Sequence, residues 1–294
     1  LAPKGMRFRF IDDHRGEFPV TRMCEVPDVS PGDYYAWRQR PPGRREMANQ
    51  EPAKRIEAVY NGSGGRYGSP RIYRELKAQG VACSENRIAR LMRLRGLQAK
   101  QTKRYRATTK RNKAHPVAPN RPARRFTAER PNQVWPVDIT YIATLEGWLY
   151  LAVVLDLYAR RIVGWAVADR MTGDLTIAAL KMALHRRRPE AGLLHHSDQG
   201  SRYTNQAYQA LLAAWGIQVG MNGVGNRYDN APVESFFGTL KSEPVHHCPY
   251  RTRDEARASL FAYIEGFYNR RRHSVLDYLS PEEYERLHQG EPFA

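Results

Sequence analysis

The pattern of apolar and polar positions changes after Pro131, where it begins to predict a β-sheet. Apolar and polar residues alternate over residues 133–143, which is typical of a strand with one buried face. Residues 148–158 are almost continuously apolar, as in a strand that is buried on both faces. A third apolar run covers residues 162–168. Because only short turns separate the three runs, we expect an antiparallel meander.

The pattern then alternates between helices and short strands. It predicts helices at residues 172–185 and 205–215, and strands at residues 193–196 and 218–220. Three strands followed by this alternation are typical of an α/β sheet with helices packed on it.

The segment 222–243, NGVGNRYDNAPVESFFGTLKSE, combines a loop with a helix. Its first half is rich in Gly and Asn and has no apolar period, which indicates a loop. Asn230 is a good N-cap for a helix in which apolar residues recur at helical spacing, at Val233, Phe236, Phe237 and Leu240. Glu234 therefore lies in the first turn, and Lys241 lies two turns later on roughly the same face. Taken alone, this pair fits an exposed surface pair better than a functional site.

Before the sheet, the pattern predicts a short helical segment in the first forty residues and then three helices, at about residues 53–60, 69–80 and 84–96. The last of these is apolar on one side and rich in arginine on the other. Two short helices joined by a tight turn, the second of them basic, are typical of a helix-turn-helix whose last helix enters a major groove. The alternative is a small helical domain with a solvated basic face.

The net charge of +17 resides in the first part of the chain. Residues 1–130 contain 30 Lys and Arg against 12 Asp and Glu, whereas residues 131–294 contain 17 against 18. A basic half joined to a near-neutral half indicates a polyanion-binding region attached to a domain with another task. Residues 100–125 hold ten Lys and Arg and no acid, which predicts a linker that runs along phosphates or, alternatively, a solvated tether.

These patterns divide the chain into five parts. We predict a helical segment, a helix-turn-helix domain, a basic linker, a catalytic core and a C-terminal helical extension, at residues 1–45, 46–99, 100–130, 131–246 and 247–294. The longest apolar run, residues 148–155, is far too short to cross a bilayer. The three cysteines, Cys24, Cys83 and Cys248, are widely spaced, which suits a reducing cytoplasm and argues against a structural zinc site.

Three acids of the second half lie where metal chemistry would need them. Asp138 is inside the first strand, where an unpaired acid is costly. Asp198 directly follows the predicted short strand, at the edge where α/β sheets place ligands. If these two strands are neighbours, their aspartates can share a divalent cation, and the helix can bring Glu234 to the same place. Two Mg²⁺ ions held about 4 Å apart by such carboxylates would activate an attacking oxygen and stabilise the leaving oxygen in phosphoryl displacement.

Other acids compete for this role. Asp156 lies in the second strand, Asp229 beside the loop and Glu243 at the end of the helix. For Asp156, the structural alternative is a buried salt bridge to Arg160 or Arg161. Spacing alone leaves these alternatives open.

Five stretches of the sequence carry a family resemblance: WPVDIT, LDLYARRIVGWAV, HHSDQGSRY, NRYDNAPVESFFGTLKSE and YNRRRHSVLDYLSPEEYE. In this order, with 35 residues between Asp198 and Glu234, they resemble the catalytic half of insertion-sequence transposases of the retroviral-integrase superfamily. YYAWRQRP and RYGSPRIYRELKAQG also resemble the first segments of second-frame (OrfB-type) proteins of the insertion-sequence 3 family. The resemblance implies a ribonuclease-H-like integrase core, with a mixed five-stranded sheet, after a small all-α helix-turn-helix domain.

The resemblance also implies roles for individual residues. Asp138, Asp198 and Glu234 would be the catalytic triad that binds two Mg²⁺ or Mn²⁺ ions, and Lys241 would contact a terminal base or a phosphate. The supporting residues would be Ser197, Gln199, Gly200, Tyr203, Asn230 and Ser235. We expect DNA contacts from basic residues along the whole chain, namely Arg71, Arg74, Arg87, Arg90, Arg93, Lys100, Lys103, Arg104, Arg106, Arg124, Arg125, Arg202, Arg227 and Lys241.

The implied activity is cleavage of a DNA 3′ end by water, followed by attack of that 3′-hydroxyl on another strand. The implied DNA partners are the inverted terminal repeats of the element and target DNA. The implied protein partners are further copies of the chain in a synaptic complex and the product of an upstream frame. We expect no membrane partner and a location in the bacterial cytoplasm at the nucleoid. One alternative is a nuclease of the same fold that only hydrolyses, which the basic arm and the helix-turn-helix disfavour. Another is a catalytically silent DNA-binding regulator, which would have lost acids that are all present here.

Two local features depart from the family pattern. Pro136 has no N–H for a sheet ladder, so we expect the regular first strand to begin after it or to contain a bulge. Residues 221–225 contain no basic residue, which predicts a weaker grip on DNA. We expect residues 222–229 to act as a hinge for the helix that carries Glu234.

Overall fold

The computed structural model describes residues 3–41, 43–100, 128–197, 202–221 and 231–288. Its helices and strands follow the order α1 (Lys4–His14), α2 (Val20–Glu25), α3 (Pro31–Gln39), α4 (Arg44–Gly62), α5 (Ser69–Ala78), α6 (Glu85–Leu94), β1 (Val134–Thr144), β2 (Gly147–Asp156), β3 (Arg161–Ala168), α7 (Gly173–Arg187), β4 (Leu194–Ser197), α8 (Gln206–Ala214), β5 (Gln218–Met221), α9 (Ala231–Ser242), α10 (Arg253–Gly266) and α11 (Pro281–His288). None of the helices in these ranges is long and apolar enough to span a membrane.

The five strands form one mixed sheet in the order β3-β2-β1-β4-β5. The first three strands pair antiparallel, whereas β4 pairs in parallel with β1, and β5 in parallel with β4. The predicted meander and the predicted α/β sheet of five strands are therefore confirmed. The metal hypothesis required the strand that contains Asp138 to lie beside the strand that precedes Asp198. These strands are β1 and β4, and they are neighbours in the sheet.

Pro136 lies inside β1, which begins two residues earlier. The expectation that the strand begins after the proline is thus wrong. The alternative expectation of a bulge is also wrong, because the pairing with β2 advances one residue at a time from Val137–Val154 to Thr144–Gly147. The proline is accommodated because the ladder with β2 starts only at the next residue. At Pro136 itself the Cα pair is with His196 of β4.

The sheet has two covered faces. The α7 face packs against α7 and α8, around Trp135, Val137, Ala152, Val154, Leu180, Leu184, Tyr208 and Leu212. The α9 face packs against α9 and α10, around Ile142, Leu151, Val153, Leu155, Phe236, Leu240, Leu260 and Ile264. On the α7 face, a Cβ atom at Gly164 would lie 2.3 Å from the carbonyl oxygen of Ala179, so glycine is required where α7 crosses β3.

Helices α4, α5 and α6 form a separate core around Ile56, Ile72, Leu76, Ile88 and Leu91. Ser84 caps α6, since its Oγ accepts a hydrogen bond from the N–H of Arg87.

The prediction for the first of these helices was too short, because α4 begins at Arg44 and contains Pro52. A proline within a helix leaves the carbonyl four residues earlier without its N–H donor. Here that carbonyl belongs to Ala48, and it accepts a hydrogen bond of 2.7 Å from Arg87 Nη2. The helix therefore continues through the proline, because α6 replaces the missing donor.

Candidate active site

Asp138 lies at the middle of β1 and is partly buried. Its neighbours Val137 and Ile139 pack on the α7 face, whereas Ile142 packs on the α9 face. Because side chains alternate along a strand, Asp138 lies on the α9 face with Ile142. Its Cα is paired with that of Val153, which also belongs to the α9 face. Oδ1 of Asp138 accepts a hydrogen bond of 2.7 Å from the N–H of Ile139.

Helix α9 presents Glu234 and Lys241 beside this strand. Its buried residues Val233, Phe236, Phe237 and Leu240 anchor it on the α9 face, and Glu234 remains exposed. Lys241 is partly buried, with Nζ 4.8 Å from the centroid of the Tyr141 ring. Burial lowers the pKa of Lys241, and the negative charge of Asp138 opposes that shift. The structure therefore brings Lys241 within electrostatic range of Asp138.

Strand β4 leads directly to Asp198, which lies outside the described residues, as do Gln199, Gly200 and Asn230. Ser197 is buried at the end of β4, and its Oγ has no hydrogen-bond partner among the described residues. Of the other predicted supporting residues, Tyr203 is buried on the α7 face, and Ser235 is exposed on α9.

His195 holds β4 against α8, a role that the sequence analysis did not identify. Its Nε2 lies 2.7 Å from the hydroxyl oxygen of Tyr208, and the two rings meet edge to face. Burial lowers the pKa of His195 to about 4, with a smaller effect from the neighbouring His196. The sequence could not identify this role, because His195 is placed on the α7 face by its pairing with Trp135, which is a property of the folded sheet.

Asp156 does not belong to this site. It lies on the α7 face, fully buried, and accepts hydrogen bonds from the N–H groups of Asn132 and Tyr158 and from Arg187 Nη2 at 3.0 Å. Burial raises the pKa of Asp156, an effect that these donors oppose. The predicted structural alternative was a bridge to Arg160 or Arg161, and this partner assignment is wrong: α7 supplies Arg187 instead.

The other two competing acids are separated from Asp138 in different ways. Glu243 is buried after the end of α9, where it accepts hydrogen bonds from Arg271 Nη1 and from the Tyr263 hydroxyl, the latter at 2.8 Å. Asp229 lies outside the described residues.

The predicted DNA contacts occupy two kinds of position. At the N-terminal end of α6, a cavity of about 540 Å³ is lined by Arg45, Asn49, Ser84, Asn86, Arg87 and Arg90. In contrast, Arg71 and Arg74 face the C-terminal part of the chain, 3.9 Å from Glu243 and 3.7 Å from Asp277, respectively. A structural partner therefore accounts for each of these two arginines, as Ala48 and Asn49 do for Arg87.

The remaining predicted contacts are dispersed. Arg93 and Lys100 are exposed, and Arg202 Nε lies 3.5 Å from the carbonyl oxygen of Met171. Six further residues lie outside the described ranges, namely Lys103, Arg104, Arg106, Arg124, Arg125 and Arg227.

Within the described ranges, no three His, Cys, Asp or Glu residues form a group that could hold a metal ion. Asp198 lies outside these ranges. The described part of the proposed carboxylate set consists of Asp138 on β1 and Glu234 on α9.

Family profiles match most of the chain. Two profiles described as integrase core domain match residues 128–227 and 234–288, and one described as HTH-like domain matches residues 47–105.

Relatives of the chain extend over nearly its whole length. It is 45% identical over 269 residues to "Insertion element IS600 uncharacterized 31 kDa protein" of Shigella sonnei, covering 91% of this chain and 99% of the relative. It is 41% identical over 283 residues to "Transposase InsF for insertion sequence IS3A" of Escherichia coli strain K12, covering 95% and 98%. Among solved structures, a chain of the simian T-cell lymphotropic virus intasome in complex with PP2A regulatory subunit B56 gamma is 18% identical, with a TM-score of 0.49 over 83% of this chain and 77% of that chain.

Proposed function

Because the chain belongs to the insertion-sequence 3 family of transposases, we propose that it cleaves 3′ ends at the terminal inverted repeats of its element and transfers them to target DNA. Members of this family are polynucleotidyl transferases with an integrase core domain, and this chain is one of them. The proposal concerns the individual steps, the residues that perform them and the DNA that is bound.

The register between β1 and β4 carries the proposal. Pro136 is paired with His196, and Asp138 and Asp198 each follow two residues later in the sequence. If β4 continues in the same register, the two aspartates become neighbours. They would share the α9 face, since a side chain two residues further along a strand returns to the same side. Helix α9 covers that face and presents Glu234 and Lys241.

The donor set fits a hard divalent cation. Asp138, Asp198 and Glu234 provide only carboxylate oxygens, which suit Mg²⁺ or Mn²⁺ and leave positions for water and phosphate oxygens. When bound, such ions supply an activated attacking oxygen and stabilise charge on the leaving oxygen. Lys241 would hold a DNA phosphate near the carboxylates, since its ammonium already senses the charge of Asp138.

The basic first part of the chain would bind DNA. Residues 43–100 carry 13 Lys and Arg against 5 Asp and Glu, whereas residues 3–41 carry 7 against 6. The electrostatic attraction to DNA would therefore come from the helix-turn-helix unit and the arm that follows it, and not from α1 to α3. We further propose that copies of the chain assemble on paired element ends in the bacterial nucleoid, with a product of the upstream frame as a further partner.

The decisive experiment compares Asp198→Asn with the wild type in Mg²⁺-dependent joining of labelled terminal-repeat DNA. We expect the rate of joining to fall by about a thousandfold or more, because a metal ligand acts on the chemical step. The DNA affinity should stay nearly the same. Asp169→Asn is the matched control, since Asp169 is an exposed acid beyond the end of β3. Unchanged joining by Asp198→Asn would contradict the metal assignment.

A second experiment tests the DNA-binding unit. Replacing both Arg90 and Arg93 by Gln should reduce the slope of log affinity against log salt by about 0.9 for each DNA phosphate that the protein no longer neutralises. Arg22→Gln in α2 is the control, because Arg22 is exposed and pairs with Glu25. An identical slope in the double variant and the wild type would exclude this face of α6 from DNA binding.

A further inference from the structure

The helix-turn-helix unit, here residues 44–100, meets the integrase core at a charged junction. We define the junction by its residues, which are Arg66, Tyr67, Arg71 and Glu75 on one side and Glu243, Tyr263, Phe267, Arg271 and Arg272 on the other. The second group follows the catalytic helix α9 in the chain and lies between Glu243 and the turn after α10.

Arg272 makes the direct polar link across the junction. Its Nε donates a hydrogen bond of 2.7 Å to Glu75 Oε2, and its backbone N–H donates one of 3.0 Å to the Tyr67 hydroxyl. The side chains of Arg272 and Glu75 are 14% and 31% exposed, so water screens this ion pair less than it screens an ordinary surface pair.

Apolar and cation–π contacts lie beside this pair. The guanidinium of Arg66 lies 4.6 Å from the centroid of the Phe267 ring and 5.6 Å from that of Tyr263. The rings of Tyr67 and Phe267 are 6.2 Å apart, and Phe267 packs against the core of α4, α5 and α6. Contacts of this kind resist sliding between the two units.

Glu243 joins the junction to α9. It directly follows the last residue of the helix, and its N–H donates to the carbonyl oxygen of Thr239, which continues the helical hydrogen bonding. The residue is 5% exposed, and its carboxylate is bonded to Arg271 and Tyr263, with Arg71 Nη1 3.9 Å away. These partners favour one position of the buried carboxylate, because a position that loses any of them leaves a buried charge poorly compensated.

We propose that the helix-turn-helix unit, docked through this junction, fixes the position of the catalytic helix, with Glu243 as the positioning residue. Glu234 and Lys241 lie on the same helix, nine and two residues before Glu243. Holding the far end of α9 sets where these two side chains stand relative to DNA bound by the same unit. This inference rests on the proposed function, because it assigns Glu234 and Lys241 to the reaction. In this proposal Glu243 acts through α9, and its carboxylate is bonded to Arg271 and Tyr263.

A charge swap across the junction tests the proposal in the full-length protein. Glu75→Arg and Arg272→Glu each replace the ion pair, which is 2.7 Å long in the wild type, by two facing like charges. The double variant restores an opposite pair in reverse orientation. Glu57→Arg is the matched control, since Glu57 pairs with Arg95 at 2.8 Å inside the helix-turn-helix unit and these side chains are 41% and 33% exposed. It alters net charge as Glu75→Arg does but leaves the junction intact.

Three quantities are measured for each variant: the affinity for terminal-repeat DNA, the rate of strand joining at saturating DNA and the midpoint of thermal unfolding. For each junction single variant we expect the joining rate to fall about tenfold or more relative to the Glu57→Arg control, because small misplacement of a catalytic group is costly. The DNA affinity should stay within about twofold of that control. The double variant should regain most of the joining rate and of the midpoint. Joining by the single variants equal to that of the control, or a double variant no better than either single variant, would overturn the proposal.

Glu243→Gln provides an independent variant that retains the size and one acceptor for Tyr263 while removing the charge. We expect slower joining at unchanged DNA affinity; unchanged joining would overturn the positioning role. If the wild type itself forms no joined product, the proposed function fails and the positioning role fails with it. The thermal unfolding midpoints then still test the contact across the junction. A double variant that recovers the wild-type midpoint supports the contact, and one that does not recover it contradicts the contact.

Discussion

The two faces of the sheet each carry an aspartate in an apolar strand, and the two acids have opposite environments. Asp156 on the α7 face is 0% exposed and accepts hydrogen bonds from two backbone N–H groups and from Arg187. Asp138 on the α9 face is partly exposed, accepts a hydrogen bond from the N–H of Ile139 and lies within electrostatic range of Lys241. A carboxylate whose oxygens are occupied by buried donors has no capacity for a metal, whereas a partly solvated carboxylate keeps it.

The difference follows from what covers each face. Helix α7 ends in basic residues, and Arg187 also bonds Glu285 of α11 at 2.8 Å, so Asp156 belongs to a network that ties the C-terminal helix to the sheet. Helix α9 instead brings an exposed acid and a lysine. Similar sequence contexts therefore give a structural acid on one face and a candidate catalytic acid on the other.

The largest expected effects come from replacing each aspartate by asparagine. Asp138→Asn should reduce strand joining by about a thousandfold or more, corresponding to about 4 kcal/mol, with the free energy of unfolding nearly unchanged. Asp156→Asn should lower the free energy of unfolding by about 3 kcal/mol, because it removes one charge of a buried network and leaves Arg187 less well compensated. Joining rates and urea unfolding of both variants provide the comparison.

The two substitutions serve as controls for each other, since both exchange one oxygen for nitrogen in neighbouring strands. A stable Asp156→Asn protein with no joining activity would mean that the α7 face takes part in catalysis. A strongly destabilised Asp138→Asn protein would mean that Asp138 is a structural acid like Asp156.

The neighbouring placement of β1 and β4 was a condition of the metal hypothesis and not a prediction, because β2, β3 and α7 lie between these strands in the chain. The sequence predicted the sheet because its strands depend on local periodicity and on short connections. It did not predict the partner of Asp156, since Arg187 is 31 residues away and reaches the acid only through the packing of α7 on the sheet. The sequence also did not predict that α4 begins at Arg44, before Pro52, and the reason is similar. The carbonyl that Pro52 leaves free is bonded by Arg87, 39 residues further along the chain.

Glu243 shows the same limit in the candidate site. Its position at the end of an amphipathic helix is compatible with exposure, and its burial depends on Arg271 and Tyr263, which arrive from α10 and the turn after it. Conversely, the roles of Asp138 and Glu234 were implied by the family resemblance of the motifs that contain them, because spacing alone left other acids as alternatives. Contacts between distant elements are what periodicity cannot supply.

A smaller effect concerns His195, the second buried titratable group on the α7 face. Its pKa is about 4 in the folded chain, against 6.5 for an ordinary histidine. Between these values the unfolded chain binds a proton that the folded chain does not, so stability falls as the pH is lowered from about 6.5 towards 4. The contribution is about 1.4 kcal/mol per pH unit in the lower part of this window.

His195→Gln should remove that part of the pH dependence in urea unfolding between pH 7 and pH 5. Tyr208→Phe is the control, because it removes the hydroxyl partner at 2.7 Å but keeps a buried imidazole. It should lower stability at every pH and retain the slope. Equal slopes for His195→Gln and the wild type would show that the α7 face tolerates a charged histidine.

The smallest effect is expected beside α9, where the Tyr141 ring lies near Lys241. The ammonium is 4.8 Å from the ring centroid, the ring is 53% exposed, and Trp148 holds it edge to face at 4.9 Å. A cation over an exposed aromatic ring contributes about 0.5–1 kcal/mol. Tyr141→Leu should therefore slow joining by about two- to fivefold, while Tyr141→Phe, which keeps the aromatic face, should match the wild type. If both variants slow joining equally, the hydroxyl and not the ring matters, and Lys241 is positioned by Asp138 and its own helix alone.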